Sequence, residues 1–202
     1  GQSHLICPDV ILPRPAVGGF LMKDWQGSCE LFGRLATAVK ILNIPMKPKI
    51  RISIIVPVLN AVETIERCLD SIFQSKGVEK EVLVIDGASS DGTIEKITNR
   101  YHDVSHLVSE PDLGQSNAIN KGLLRASGDV LCWLCADDAF RSGALELVEQ
   151  RFTENQVLDV VAGACCRRFA DGSSIVRKVG DRSWGRVGYN NEFDQPSVFW
   201  HR

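Results

Sequence analysis

The run WLCADDAF, residues 133–140, sets two carboxylates, Asp137 and Asp138, side by side just past an apolar stretch, 130–134. Adjacent like charges repel and raise one pKa, so a pair at a strand end asks for something that compensates. Two more polar loops follow apolar runs. VPVLNA, residues 56–61, has Pro57 at the exit of its run and an amide at Asn60. VIDGASSDGT, residues 84–93, has Asp86 at its run's tip, then two glycines, small hydroxyls and Asp91.

Spacing removes several rival readings of these loops. Counted from Asp86, an EF-hand would need glycine sixth and glutamate twelfth, where Asp91 and Ile97 stand. A D-x-S-x-S metal module would need serine at Ala88. As a plain turn with a helix cap, Asp91-Gly92 is satisfactory. Neither G-x-G-x-x-G nor G-x-x-x-x-G-K-[ST] follows the first apolar run, where the text is PVLNAVET. That argues against dinucleotide oxidoreductases, P-loop enzymes and sugar nucleotidyltransferases together.

The elements that must position these loops alternate. ISIIVPV, residues 52–58, is a continuous β-branched run, as expected of a parallel strand covered on both faces. Asn60 and Glu63 make a near capping box for a helix with an apolar stripe at Ile65, Cys68, Leu69, Ile72 and Phe73. EVLVID (81–86) and HLVS (106–109) read as strands, with a helix carrying Ile94, Ile97 and Tyr101 between them. A helix over 116–126, a strand over 128–134 and a helix over 142–155 follow. This spacing predicts an α/β domain with a mostly parallel sheet, whose ligands sit beyond the carboxyl ends of the strands. DVVAGACC (159–166) and SIVRKV (174–179) flank ADGSS as a hairpin, a smaller antiparallel part near the C-terminus, and QPSVFWHR is one more extended run. Residues 1–49 hold five of the eight prolines (Pro8, Pro13, Pro15, Pro45, Pro48) and read as an irregular extension with a docking helix on Leu31, Leu35, Ala38 and Leu42.

At 202 residues, 44% hydrophobic and 24% charged, the chain can bury a sizeable core. A net charge of −2 and a pI near 6.1 leave no global positive field for nucleic acid, so a phosphate ligand must be held locally. Seven irregularly spaced cysteines suit reduced thiols in the cytoplasm. Cys132 and Cys135 spell C-x-x-C, but they point to opposite faces of a strand and have no second pair at zinc spacing, so they read as small buried apolar residues. No apolar run approaches the roughly 20 residues that span a bilayer. A cytoplasmic protein is expected, and a peripheral place at the inner face of a membrane is compatible with that.

Together with SEPDLGQSNAINKGLLRASGD, residues 109–129, these loops resemble family 2 glycosyltransferases, inverting enzymes of the GT-A fold. The match runs from about 52 to 138 with an echo in QPSVFW. It implies residues 50–140 as the nucleotide-binding half of a GT-A domain and 141–202 as the start of its acceptor-side half. It implies that Pro57 or Val58, with Asn60 and Asp86, hold the donor's base and ribose, and that Ser89, Ser90 and Asp91 shape that pocket. Pro111, Asp112, Gly114, Gln115, Ala118, Asn120 and Gly122 would line the donor nucleotide and sugar, with Lys121 meeting a phosphate. Asp138 would ligate Mn2+ or Mg2+ directly and Asp137 would serve as second ligand or touch the ribose or sugar. The hard cation would then offset the carboxylate repulsion.

The family resemblance also implies an acidic general base in a motif after the segment matching QPSVFWHR, and the sequence stops at Arg202. The base is therefore expected outside these residues, with Glu192 and Asp194 as substitutes within them. The implied activity is transfer of a hexosyl or N-acetylhexosaminyl group from a nucleotide-diphospho-sugar, a UDP-sugar by family frequency, to a glycan or lipid-linked acceptor in polysaccharide biosynthesis. A catalytically incomplete nucleotide-sugar-binding or assembly module is the alternative, and a sugar nucleotidyltransferase comes third.

Overall fold

The computed structural model describes residues 49–177 and 194–202 in full, and the backbone of 3–7. In chain order the elements are strand β1 (Ser3–Cys7), β2 (Arg51–Val58), helix α1 (Ile65–Phe73), β3 (Glu79–Asp86), α2 (Thr93–Arg100), β4 (His106–Ser109), α3 (Gln115–Leu123) and β5 (Val130–Trp133). Then come β6 (Ala139–Phe140), α4 (Ala144–Glu154), β7 (Val160–Ala162), β8 (Ala164–Arg168), β9 (Ser174–Arg177), a 3-10 turn (Gln195–Ser197) and β10 (Val198–His201).

A six-stranded sheet runs β4-β3-β2-β5-β10-β7; β4, β3, β2 and β5 are mutually parallel, and β10 is antiparallel to both its neighbours. The β-branched runs of β2 and β3 sit here because both faces are covered. Ile54, Val56, Val82 and Val84 pack with the apolar stripe of α1 on one face, while Ile55, Leu83 and Ile85 meet Ala118 of α3 on the other. Burying each such side chain contributes about 1.5–3 kcal/mol. A Cβ on Gly122 would overlap Ile55, so that glycine is what lets α3 lie close on β2.

At the amino ends of the strands, Glu81 is 2% exposed and accepts hydrogen bonds from Ser53 Oγ (2.5 Å) and from Ser127 N and Oγ (both 2.8 Å). Burial opposes its charge, yet these donors and Arg51 hold its carboxyl below the usual value. It ties the approach to β5 onto β2 and β3.

A second, four-stranded sheet runs β6-β1-β8-β9. The expected hairpin is its β8–β9 pair, turned at Gly172 (φ +83°). The single expected strand over 159–166 is two: at Gly163, whose N–H donates to Ser197 O at 2.9 Å, the chain leaves the first sheet at β7 and enters the second at β8. Residues 3–7, within the stretch read as irregular, form β1 between β6 and β8. The docking helix on Leu31–Leu42 lies outside the described residues. No helix among the described residues is long and apolar enough to cross a membrane.

Candidate functional site

In chain order β3 and β4 lie to one side of β2 and β5 to the other, so the sheet's topological switch falls between β2 and β5. Such a crevice, at the carboxyl ends of the strands, is where open α/β sheets bind ligands. A cavity of about 390 Å³ opens there. Pro57, Val58 and Asn60 line it from the exit of β2, Asp112, Gly114 and Gln115 from the start of α3, and Asp137 from beyond β5. The N-terminus of α3, where unpaired backbone N–H groups favour anions, thus opens on the cavity.

The turn from Cys135 to Asp138 closes one end. Its geometry is set by the main chain: Asp138 N–H donates to Cys135 O at 2.9 Å, and Leu134 N–H to Ile55 O at 2.9 Å. From α1, the Arg67 guanidinium donates to Asp137 O and the Cys68 thiol approaches Cys135 O at 3.5 Å. Asp137 is exposed, whereas Asp138 is 3% exposed. Cys135 Sγ and a carboxylate oxygen from each aspartate all lie within 4.8 Å of one another. That donor set fits a divalent cation, with the qualification that one of its three atoms is sulfur.

The other expected residues stand behind or beside this wall. Asp86 is fully buried, accepting from Ser89 N at 2.9 Å, from Ser109 Oγ at 2.7 Å and from Ser89 Oγ. Asp91 accepts from Val62 N and Thr93 N, each at 3.0 Å, and from Thr93 Oγ1 at 2.5 Å. Asn60 does not cap α1, whose first residue is Ile65; at φ +49° its Oδ1 accepts from Ser90 N at 3.0 Å and its N–H donates to Ser89 Oγ at 2.7 Å. The first two loops are therefore sewn together by their own polar side chains. Asp112 Oδ1 accepts from Gly114 N at 2.8 Å, and its carboxyl packs so near Gly87 that a Cβ there would come within 2.8 Å of it. Asn120 is exposed on α3, and Lys121 pairs with Glu110 at 2.9 Å and donates to Pro111 O at 3.2 Å.

Toward the C-terminus, Asp194 is ion-paired to Arg177 at 3.0 Å and Arg167 at 3.8 Å, with its side chain 13% exposed. Glu192 lies outside the described residues. Gln195 Nε2 donates to Trp133 O at 2.8 Å, which docks the 3-10 turn on β5.

Sequence reasoning missed Leu59, Thr64, Cys135 and Ala136, which also line the cavity. Cys135 stands two residues before Asp137, yet its place in C-x-x-C made it read as a small buried apolar residue. Burial, then the charges of Asp138 and Asp137, push its thiol up to about 11 against the Gln115 hydrogen bond. Cys132, by contrast, is wholly buried in the core.

The family model described as glycosyl transferase family 2 matches residues 53–199, well over half of the chain. The chain belongs to glycosyl transferase family 2. Among its relatives, the poly-beta-1,6-N-acetyl-D-glucosamine synthase of Staphylococcus epidermidis is 32% identical over 130 residues, covering 63% of this chain and 31% of that protein. The chondroitin synthase of Pasteurella multocida is 30% identical over 126 residues, 61% of this chain and 13% of that one. The chain thus spans about a third or less of the length of these two curated relatives. Of solved structures, S. aureus TarS 1-349 superposes with a TM-score of 0.59 at 20% identity, covering 75% of this chain and 47% of that one. The same protein in complex with UDP-GlcNAc superposes at 0.50 and 25% identity, over 55% of this chain and 33% of that one. The family 2 domain has the GT-A architecture, a mostly parallel α/β sheet with a small second sheet.

Proposed function

We propose that this family 2 domain binds a nucleotide-diphospho-sugar with a divalent cation, Mn2+ or Mg2+, and transfers its sugar, with inversion, to a glycan or lipid-linked acceptor. The observation that carries the reading is the cavity at the β2/β5 switch point, open to the α3 N-terminus on one side and walled by Asp137 on the other, with the buried Asp138 carboxylate next to Asp137. A diphosphate lying between them meets backbone N–H groups and a cation at once. The nucleoside would lie against Pro57, Val58 and Asn60, with Asp86, Ser89, Ser90 and Asp91 holding that wall from behind. Asp138 and Asp137 would hold the cation, which when bound supplies charge to the departing diphosphate. A uracil base is the preferred donor.

The test is calorimetric binding of UDP, GDP, CDP and dTDP to this chain, each with Mn2+ and again with excess EDTA. Binding of one nucleotide that EDTA abolishes is expected; no binding of any would sink the reading. One observation favours the alternative of a binding module without transfer: Asp194, a substitute general base, is held by two arginines. Release of free nucleoside diphosphate together with glycan product would exclude that alternative.

A further inference from the structure

Resting on that cation reading, we infer that the Cys135 thiol is a third protein ligand, which makes a mixed sulfur and oxygen site that favours Mn2+ and softer divalent ions over Mg2+. The geometry is the first reason. With bonds of about 2.3 Å to sulfur and about 2.0–2.2 Å to oxygen, neighbouring ligands on one ion stand roughly 3.0–3.7 Å apart. The Cys135 Sγ and the Asp137 and Asp138 oxygens already lie within 4.8 Å of one another, so small side-chain movements close them on an ion.

The second reason is that this thiol is aimed and held. Gln115 Nε2 donates to Sγ at 3.1 Å from the start of α3, and the thiol faces Gln195 Oε1 at 3.7 Å on the other side. Its backbone carbonyl is fixed by the N–H of Asp138. The carboxylate neighbours and the sulfur therefore belong to one tight turn, and an ion reaching the two oxygens meets the sulfur too. Cys68, Cys132 and Cys165 are buried, and none of them lines the cavity as Cys135 does.

Chemistry supplies the consequence. Carboxylates alone suit Mg2+, Ca2+ and Mn2+, whereas a thiolate shifts preference toward softer ions along the first-row series. On ligation the S–H bond breaks, its proton goes to solvent, and one metal–sulfur bond replaces one metal–water bond.

The test uses the whole chain without nucleotide. Co2+ added to the wild-type protein should give a near-ultraviolet sulfur-to-cobalt charge-transfer band that Cys135→Ser lacks. Titrations with Mn2+, Cd2+ and Mg2+ should show Cys135→Asp moving the Mn2+/Mg2+ affinity ratio toward Mg2+ by roughly tenfold or more. Co2+ bound without that band, or a ratio that Cys135→Asp leaves unchanged, would overturn the inference while leaving the cation site standing. Failure of every ion to bind the wild-type chain would instead remove the cation reading and this inference with it. Should Cys135→Ser fold poorly, the wild-type spectrum and Cys135→Asp still decide.

Discussion

The loop after β3 and the turn after β5 carry the same groups, two aspartates among small residues at the carboxyl end of a parallel strand, and the fold uses them differently. Asp86 and Asp91 are met by local donors, serine and threonine hydroxyls and backbone N–H groups, so the loop after β3 is a joint between strands and helices. Asp137 and Asp138 bring a carboxylate oxygen each to within 4.8 Å of one another and of Cys135 Sγ, with Asp137 and Cys135 on the wall of the cavity. A carboxylate surrounded by its own donors holds a fold. Two carboxylates and a thiol gathered this closely are the donor set the proposed cation would use.

The most severe way to break the comparison is Asp138→Ala. Loss of an outer partner costs about 10–100-fold in metal affinity, so loss of a direct ligand should weaken Mn2+-dependent nucleotide binding by at least about 100-fold. Calorimetry reads this directly, and unchanged binding would erase the distinction between the two loops.

Asp86→Asn should act the other way round. The amide replaces an acceptor oxygen with a donor facing Ser89 and Ser109, so about 2–3 kcal/mol of folding stability should go, read as a lower urea midpoint at constant m. Nucleotide affinity of the folded variant should fall less than in Asp138→Ala. A large affinity loss at wild-type stability would move Asp86 from the joint into direct contact with the ligand.

How far this was legible follows the kind of interaction. The unbroken β-branched runs of β2 and β3 and the stripe Ile65, Cys68, Leu69, Ile72 are local patterns, and they fold as their periods require. Asn60 and Glu63 have the spacing of a cap, but the Asn60 amide finds a partner 30 residues on in Ser90, a competition that no local window contains. Gly163 reads as the middle of one strand because only the arrival of Ser197 makes it a crossing between sheets. β1 lacks a signal because its pairing partners are more than 130 residues away. The aspartates of the site announced themselves by type, whereas Cys135 did not, because a cysteine near a strand end is usually core. Its place on the cavity wall depends on a turn that begins just after β5 ends.

The mildest perturbation sharpens the comparison through pH. The Asp91 carboxyl lies below its ordinary value of 3.8, chiefly through the Thr93 hydroxyl and against some desolvation, with the N–H groups of Val62 and Thr93 helping. A depressed carboxyl pKa contributes stability in full above 3.8, and that contribution is lost as pH falls through the folded value. Asp91→Asn keeps an acceptor oxygen but cannot ionise, so its melting temperature should sit slightly below wild type at neutral pH. The gap should narrow on acidification below 3.8, as the wild-type carboxyl takes up its proton. Thermal melts of both proteins from about pH 7 to about pH 3 measure the gap. A gap independent of pH would mean that the shape of the joint, and not the charge of Asp91, is what ties the β2 and β3 loops together.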